Sequence, residues 1–240
     1  MCLSRVLRWL DRRLRSRCRR RRNQVDGTHL NADHRSAERS GRNELAHHCS
    51  DPPGLSALQI HLGEGSVFGL VPMGAGRTYA FAYVIEQRFH DPLEGRLVRL
   101  RNRFATFGGR VQEYLASLER DDQVICSAME WIECEKWQLG RVVLVGDAAH
   151  ASSPMMGQGG CMAMEDACVL AEELRASATV EHALASYASR RKPRVEWVQH
   201  QSMALAASLT TGPAAVRNTA LRERGNQIMQ ARFGPLVAAP

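Results

Sequence analysis

No apolar run of 18 or more residues occurs anywhere in the 240-residue chain, so no membrane-spanning helix is expected. No apolar h-region follows the basic residues near Met1, and a secretory leader is not expected either. Seven cysteines, an odd number without a Cys-x-x-Cys pair, argue against a disulfide framework and for a reducing, cytoplasmic compartment. His47-His48-Cys49 has no second ligand pair at matching spacing, so no metal site is expected. A Gly-x-Gly-x-x-Gly turn is also missing: Gly63 to Gly69 and Gly74 to Gly76 lack its spacing and open no helix. The usual backbone cradle for a pyrophosphate is therefore absent.

What is present begins with charge. Residues 1–22 hold ten Arg and one Asp, or +9, against +7 for the whole chain, which leaves the remainder at −2. A nucleic-acid surface does not follow from that balance, and binding to nucleic acid is not expected. Leu3, Val6, Leu7, Leu10 and Leu14 sit at helical spacing among the arginines, which allows a basic amphipathic helix docking to an acidic surface. Runs of like charge are more often disordered, and the whole of residues 1–54 reads as a basic, then polar and patternless, disordered segment ending at Pro52-Pro53-Gly54.

From Leu58 the pattern becomes ordered. Alternating runs at 58–62, 67–72 and 77–85, separated by Gly-rich turns, predict an antiparallel meander with Phe68, Tyr79, Phe81 and Tyr83 mainly in its core. Helical stripes predict helices over 97–107 and 111–119, with Gly108-Gly109 between them. Extended pieces follow over 123–134. Arg141-Val142-Val143-Leu144-Val145 is a continuous apolar run after its Arg, as expected of a strand buried on both faces. A helix is predicted from Gly159 to about Arg175 and another from Val180 to Leu205, kinked or broken at Pro193. Residues 207–240 read as a loosely helical, mobile tail.

The chemistry concentrates where that apolar run ends. Gly146-Asp147-Ala148-Ala149-His150 follows it, then Pro154, then Gly157-Gln158-Gly159-Gly160 at the mouth of a helix. A strand end that presents a carboxylate can accept hydrogen bonds from a ribose hydroxyl, and a glycine-rich helix N-terminus offers free N–H groups and a positive dipole end. Asp147 reads as such a ligand rather than as a strand-end cap. Glu165 and Asp166 read as charge complementing the helix dipole. Arg190, Arg191 and Arg194 pair with those carboxylates or form a solvated basic face. His150 reads as a structural pin in preference to a proton relay.

These motifs, with Glu165-Asp166-Ala167 and the Tyr187-x-x-Arg-Arg-x-Pro-Arg pattern, resemble the second FAD-binding signature of single-component flavoprotein monooxygenases. Within that aromatic-hydroxylase group the chain looks like zeaxanthin-epoxidase-like and urate-hydroxylase-like members, over roughly Leu58 to Gln201. The resemblance implies an α/β fold: residues 141–206 as the C-terminal part of a doubly wound FAD-binding domain, and 55–140 as a mostly antiparallel substrate-domain sheet with helices. It implies FAD as cofactor, NADH or NADPH as electron donor, and insertion of oxygen from O2 into an aromatic or other electron-rich small molecule. Gly146, Asp147 and Ala148 would meet the ribityl chain, while Pro154, Gly157, Gln158, Gly159, Gly160 and Cys161 would lie against the isoalloxazine edge. Cys161 is equally a small helix-packing residue. No side chain is expected to act as a chemical catalyst. The family's first Gly-rich turn and its middle Asp-Gly motif have no counterpart, Asp26-Gly27 being in a polar stretch, so the expected protein is a truncated monooxygenase whose nucleotide-binding N-terminal part is lost, replaced, or supplied elsewhere, another chain being one source. The alternative is a non-catalytic, partner-binding remnant.

Overall fold

A computed structural model describes residues 32–33, 41–50, 55–85, 91–128 and 131–240. The arginine-rich segment and Asp26-Gly27 lie outside the described residues. Nine strands are described: β1 (Ala32–Asp33), β2 (Gly41–Ser50), β3 (Gln59–Leu62), β4 (Ser66–Pro72), β5 (Arg77–Ile85), β6 (Val124–Ala128), β7 (Glu133–Cys134), β8 (Gln138–Leu139) and β9 (Val142–Val143). The helices are α1 (Arg96–Arg103), α2 (Arg110–Ser117), α3 (Asp147–His150), α4 (Gly159–Ala176), α5 (Val180–Thr210) and α6 (Ala214–Phe233).

The expected meander is β3, β4 and β5, inside a five-stranded antiparallel sheet of order β3-β4-β5-β2-β6. Period-2 alternation sorts β5 cleanly. Thr78, Ala80, Ala82 and Val84 are buried on one side, while Tyr79, Phe81 and Tyr83 occupy the other. The first face packs Phe68, Leu70, Ala80, Ala82 and Val84 against Leu97, Leu100, Phe104, Val111 and Tyr114 of α1, α2 and their junction. Phe68 sits edge-on to Phe104 at 5.1 Å between centroids, a geometry that adds to its burial of roughly 1.5–3 kcal/mol. The second face packs Val67, Tyr83 and Phe81 against Ala206 and Leu209 of α5 and against Met155. There Phe81 lies across Gly69 of the neighbouring strand, so close that a Cβ at Gly69 would fall 2.2 Å from its ring atoms. Glycine at 69 is therefore a seat for a ring.

Both short helices stop earlier than their apolar stripes suggest, at Arg103 and Ser117. Helix α1 is capped from a distance: the Asp121 carboxylate accepts from the Gly95 and Leu97 amides, each at 2.8 Å. Those bonds hold the Asp121 carboxyl below the usual carboxylate range.

Four readings change. The patternless stretch before residue 54 contains β2, which pairs with β5 on one side and β6 on the other. Backbone partners on both edges make that strand, and its side-chain pattern gave no sign of it. The run Arg141–Val145 is not buried on both faces: only Val142–Val143 is a strand, it pairs with β8 alone, and Val142 and Val145 are 59% and 43% exposed. Among the described residues no parallel strand flanks it. Helix α5 passes through Pro193 without interruption. Buried Arg191, Val195 and Val198 on either side anchor both halves of the helix, so one lost backbone bond does not end it. The stretch read as a loosely helical tail is a 20-residue helix, α6, followed by a 3-10 turn at Gly234–Val237. The α/β class holds, and no described helix is long and apolar enough to cross a membrane.

Candidate functional site

Residues 141–166 and the middle of α5 build the site. After β9 the backbone turns at Gly146, whose φ of 58° belongs to the left-handed region that favours glycine. Helix α3 starts at once, with Asp147 exposed in its first turn and Ala149 and His150 buried beneath. The chain then crosses to Pro154, first residue of a 3-10 turn whose cap is Ser153, accepting from the Met155 amide. Gln199 of α5 fixes this crossing by donating to the carbonyls of Ile132 at 2.9 Å and Ala151 at 3.2 Å.

Helix α4 begins with Gly159, and no side chain caps it, so the amides of its first turn have no partner within the helix. A Cβ built at Gly157, Gly159 or Gly160 would meet nothing within 4 Å. Gly157 is accounted for by its left-handed φ of 65°, but neither backbone conformation nor packing among the described residues requires glycine at 159 or 160. Gln158 donates to the Met156 carbonyl at 3.3 Å, and Cys161 is a free, exposed thiol on the same helical turn. Asp147, Pro154, Gly157, Gly160 and Cys161 are all exposed, on α3, on the 3-10 turn and the loop after it, and at the start of α4.

Around Gly146 and His150 lies an ionic network whose partners sequence reading did not resolve. Asp166 is completely buried. Its Oδ2 accepts from the Gly146 amide at 2.9 Å and lies 2.7 Å from His150 Nε2, while its Oδ1 accepts from Arg191 Nε at 2.9 Å. Arg191 is also completely buried, and it donates to Glu165 at 2.6 Å and to the Met162 carbonyl at 3.2 Å. Arg194 closes the network with a fork on Glu165, at 2.8 and 2.9 Å, and reaches the Leu236 carbonyl at 3.0 Å. Burial pushes both carboxyls up, but the hydrogen bonds from His150, Arg191 and Gly146 to Asp166, and from Arg194 and Arg191 to Glu165, outweigh it and hold both below the usual range. Burial, and then the Asp166 charge, push the Tyr187 hydroxyl up; that hydroxyl stands 3.5 Å from the Leu144 carbonyl. Asp166 is thus far more than a solvated complement to a helix dipole, and Arg191 and Arg194 take the pairing reading. Arg190 faces away and binds Glu172, Glu173 and the Pro240 carbonyl. The spacing of Arg191 and Arg194, three residues apart on one helical face, was the available signal. His150, expected to pin the loop, does so through Asp166.

Residues 58–202 match the family model described as FAD binding domain. The chain is 36% identical over 132 residues to the aurachin C monooxygenase/isomerase of Stigmatella aurantiaca, covering 55% of this chain and 34% of that one. It is 38% identical over 143 residues to the FAD-dependent urate hydroxylase of Klebsiella pneumoniae, covering 56% and 35%. Among solved structures, Klebsiella pneumoniae HpxO complexed with FAD and uric acid superposes with a TM-score of 0.74 at 26% identity, over 88% of this chain and 55% of that one. The match thus spans about a third of the curated relatives' length.

Proposed function

The chain belongs to the family of FAD-binding domains, and from that membership we propose that it supplies the ribityl and isoalloxazine side of the FAD site in a monooxygenase. One observation carries the reading. Gly157, Gly159 and Gly160 open onto space that none of the described residues fills, beside an uncapped helix N-terminus and an exposed carboxylate. Asp147 accepts a ribityl hydroxyl, with Gly146 and Ala148 as the backbone around it. Pro154 and the amides from Gly157 through Gln158, Gly159 and Gly160 to Cys161 receive the ring edge. Their N–H groups and the helix dipole favour negative charge on the part of the ring that faces them. FAD, when bound, supplies the redox chemistry, taking a hydride from NADH or NADPH and activating molecular oxygen. The protein's own share is position, dryness and electrostatics.

The substrate is a small aromatic or otherwise electron-rich molecule, as the names of the urate hydroxylase relatives suggest. It lies on the sheet side, beyond Phe81 and Met155. The pyrophosphate and adenosine contacts come from a polypeptide that carries a Gly-rich turn. The apolar residues left open on β9, on the turn after it and on α4, Val142, Val145, Met164 and Leu174, give such a polypeptide its seat. Among the described residues no cysteine forms a disulfide, Cys134, Cys161 and Cys168 being free thiols, which fits a cytoplasmic location.

The test is an absorbance and fluorescence titration with FAD, using Asp147→Ala as control. Saturable binding that weakens about tenfold in the variant is expected. No difference between the two proteins would remove Asp147 from the site.

A further inference from the structure

We propose that Asp166 is a positioning residue for the cofactor: it fixes the angle at which Asp147 is presented, through bonds to both flanks of that residue. The proposal rests on the FAD reading above. Among the described residues the Asp147 carboxylate makes no hydrogen bond or ion pair of its own, and its side chain points to solvent. What orients it is the backbone on either side. One residue before it, the Gly146 amide donates to Asp166 Oδ2 at 2.9 Å; three residues after it, the His150 ring meets the same oxygen at 2.7 Å. A single carboxylate oxygen therefore clamps the two ends of helix α3, which is only four residues long and holds itself with few bonds of its own.

The clamp is rigid because its other oxygen is occupied. Arg191 Nε holds Oδ1 at 2.9 Å, and Arg191 is itself fixed by Glu165 and the Met162 carbonyl. Stability alone does not account for this arrangement. A buried ion pair costs desolvation on both sides, and well-packed apolar residues of like volume often fold as well or better. What apolar residues cannot do is accept an amide and an imidazole hydrogen bond at one point, and so set a loop to within a fraction of an ångström. The charge also matters: an ionised carboxylate only accepts, so Gly146, His150 and Arg191 must all donate and no alternative arrangement of protons competes.

The experiment uses the full chain and two readouts. The first needs no cofactor: hydrogen exchange of the backbone amides, compared between the wild type and Asp166→Asn. The clamp predicts that the Gly146 amide and residues 147–150 exchange about tenfold faster in the variant while the amides of α5 are unchanged. The second is FAD affinity in a double-mutant cycle. Asp166→Asn alone is expected to weaken binding about tenfold, and in an Asp147→Ala background the same change is expected to cost less than about threefold, because both act through one contact. Additive losses would overturn the proposal, since they would mean that Asp166 does not act through Asp147. So would an unchanged Gly146 amide, or exchange that rises evenly through α4 and α5, which would make Asp166 a prop of the fold alone. His150→Gln, which keeps the buried Asp166–Arg191 pair, is the second variant should Asp166→Asn not fold; it is expected to loosen the same five amides and to weaken FAD by threefold or more, and failure on either count overturns the clamp. If the wild type itself takes up no FAD, the FAD reading falls, and the exchange data still decide whether Asp166 holds the turn.

Discussion

Arg191 has no exposed surface at all, and all of its charge is spent inside the molecule. Replacing it with Met strands the Asp166 carboxylate without its counter-ion, for which about 3–5 kcal/mol of destabilisation is expected, measurable by urea unfolding. Replacing exposed Asp147 with Ala, by contrast, should leave the unfolding midpoint within about 0.5 kcal/mol of the wild type. The two carboxyls of the network also set a direction for acid sensitivity. Their proton affinities are lowered by folding, so their contribution to stability is complete above the ordinary carboxylate range and is lost as pH falls through and below it. Acid unfolding followed by circular dichroism should therefore show a steep loss below about pH 4, and the loss should be shallower in a Glu165→Gln variant, which has already given up one of the two contributions.

In the proposed site, helix α4 separates what folding requires from what FAD would require. Because a side chain at Gly160 meets nothing within 4 Å, Gly160→Leu should fold at least as well as the wild type, with up to about 0.5–1 kcal/mol gained from helix propensity. It should nevertheless weaken FAD binding more than tenfold by filling the cofactor's space. Paired thermal melts and FAD titrations check both halves, and a variant that binds FAD normally would move the isoalloxazine away from this helix. At this scale much was legible in the sequence. The meander β3 to β5 announced itself by period-2 alternation, and α1 and α2 by helical stripes, because each buries one face against its neighbours. Strand β2 did not, because its place is set by two flanking strands far along the chain. The run at Arg141–Val145 misled for a related reason: it carries the composition of a strand covered on both sides, and this chain covers only part of it. Of the site, the stretch from Asp147 to Cys161 could be read as a motif, while the Asp166 clamp beside it could not. Nothing local tells which of the adjacent carboxylates Glu165 and Asp166 turns inward.

For the whole molecule, the exposed Val142 and Val145 of the β9 segment and Met164 and Leu174 of α4 bear on how the isolated chain behaves. On the proposed reading, in which this chain supplies one side of the cofactor's contacts, FAD affinity of the chain alone should be weak, and a submicromolar dissociation constant would contradict a site shared with another polypeptide. The same open apolar surface should make the isolated chain self-associate with rising concentration, seen as growing light scattering that a complementing nucleotide-binding half suppresses. The turn after β3 and helix α6 are joined by Arg217, which donates to the carbonyls of Gly63 at 3.0 Å and Leu209 at 2.8 Å. Gly63 and Arg217 are 154 residues apart, and that separation is also a delay. At the pace of the ribosome, Gly63 waits on the order of ten seconds for its partner to be synthesised. The sheet with α1 and α2 must therefore keep itself together while the rest of the chain is still being made, and the last helix arrives as a latch on something already built.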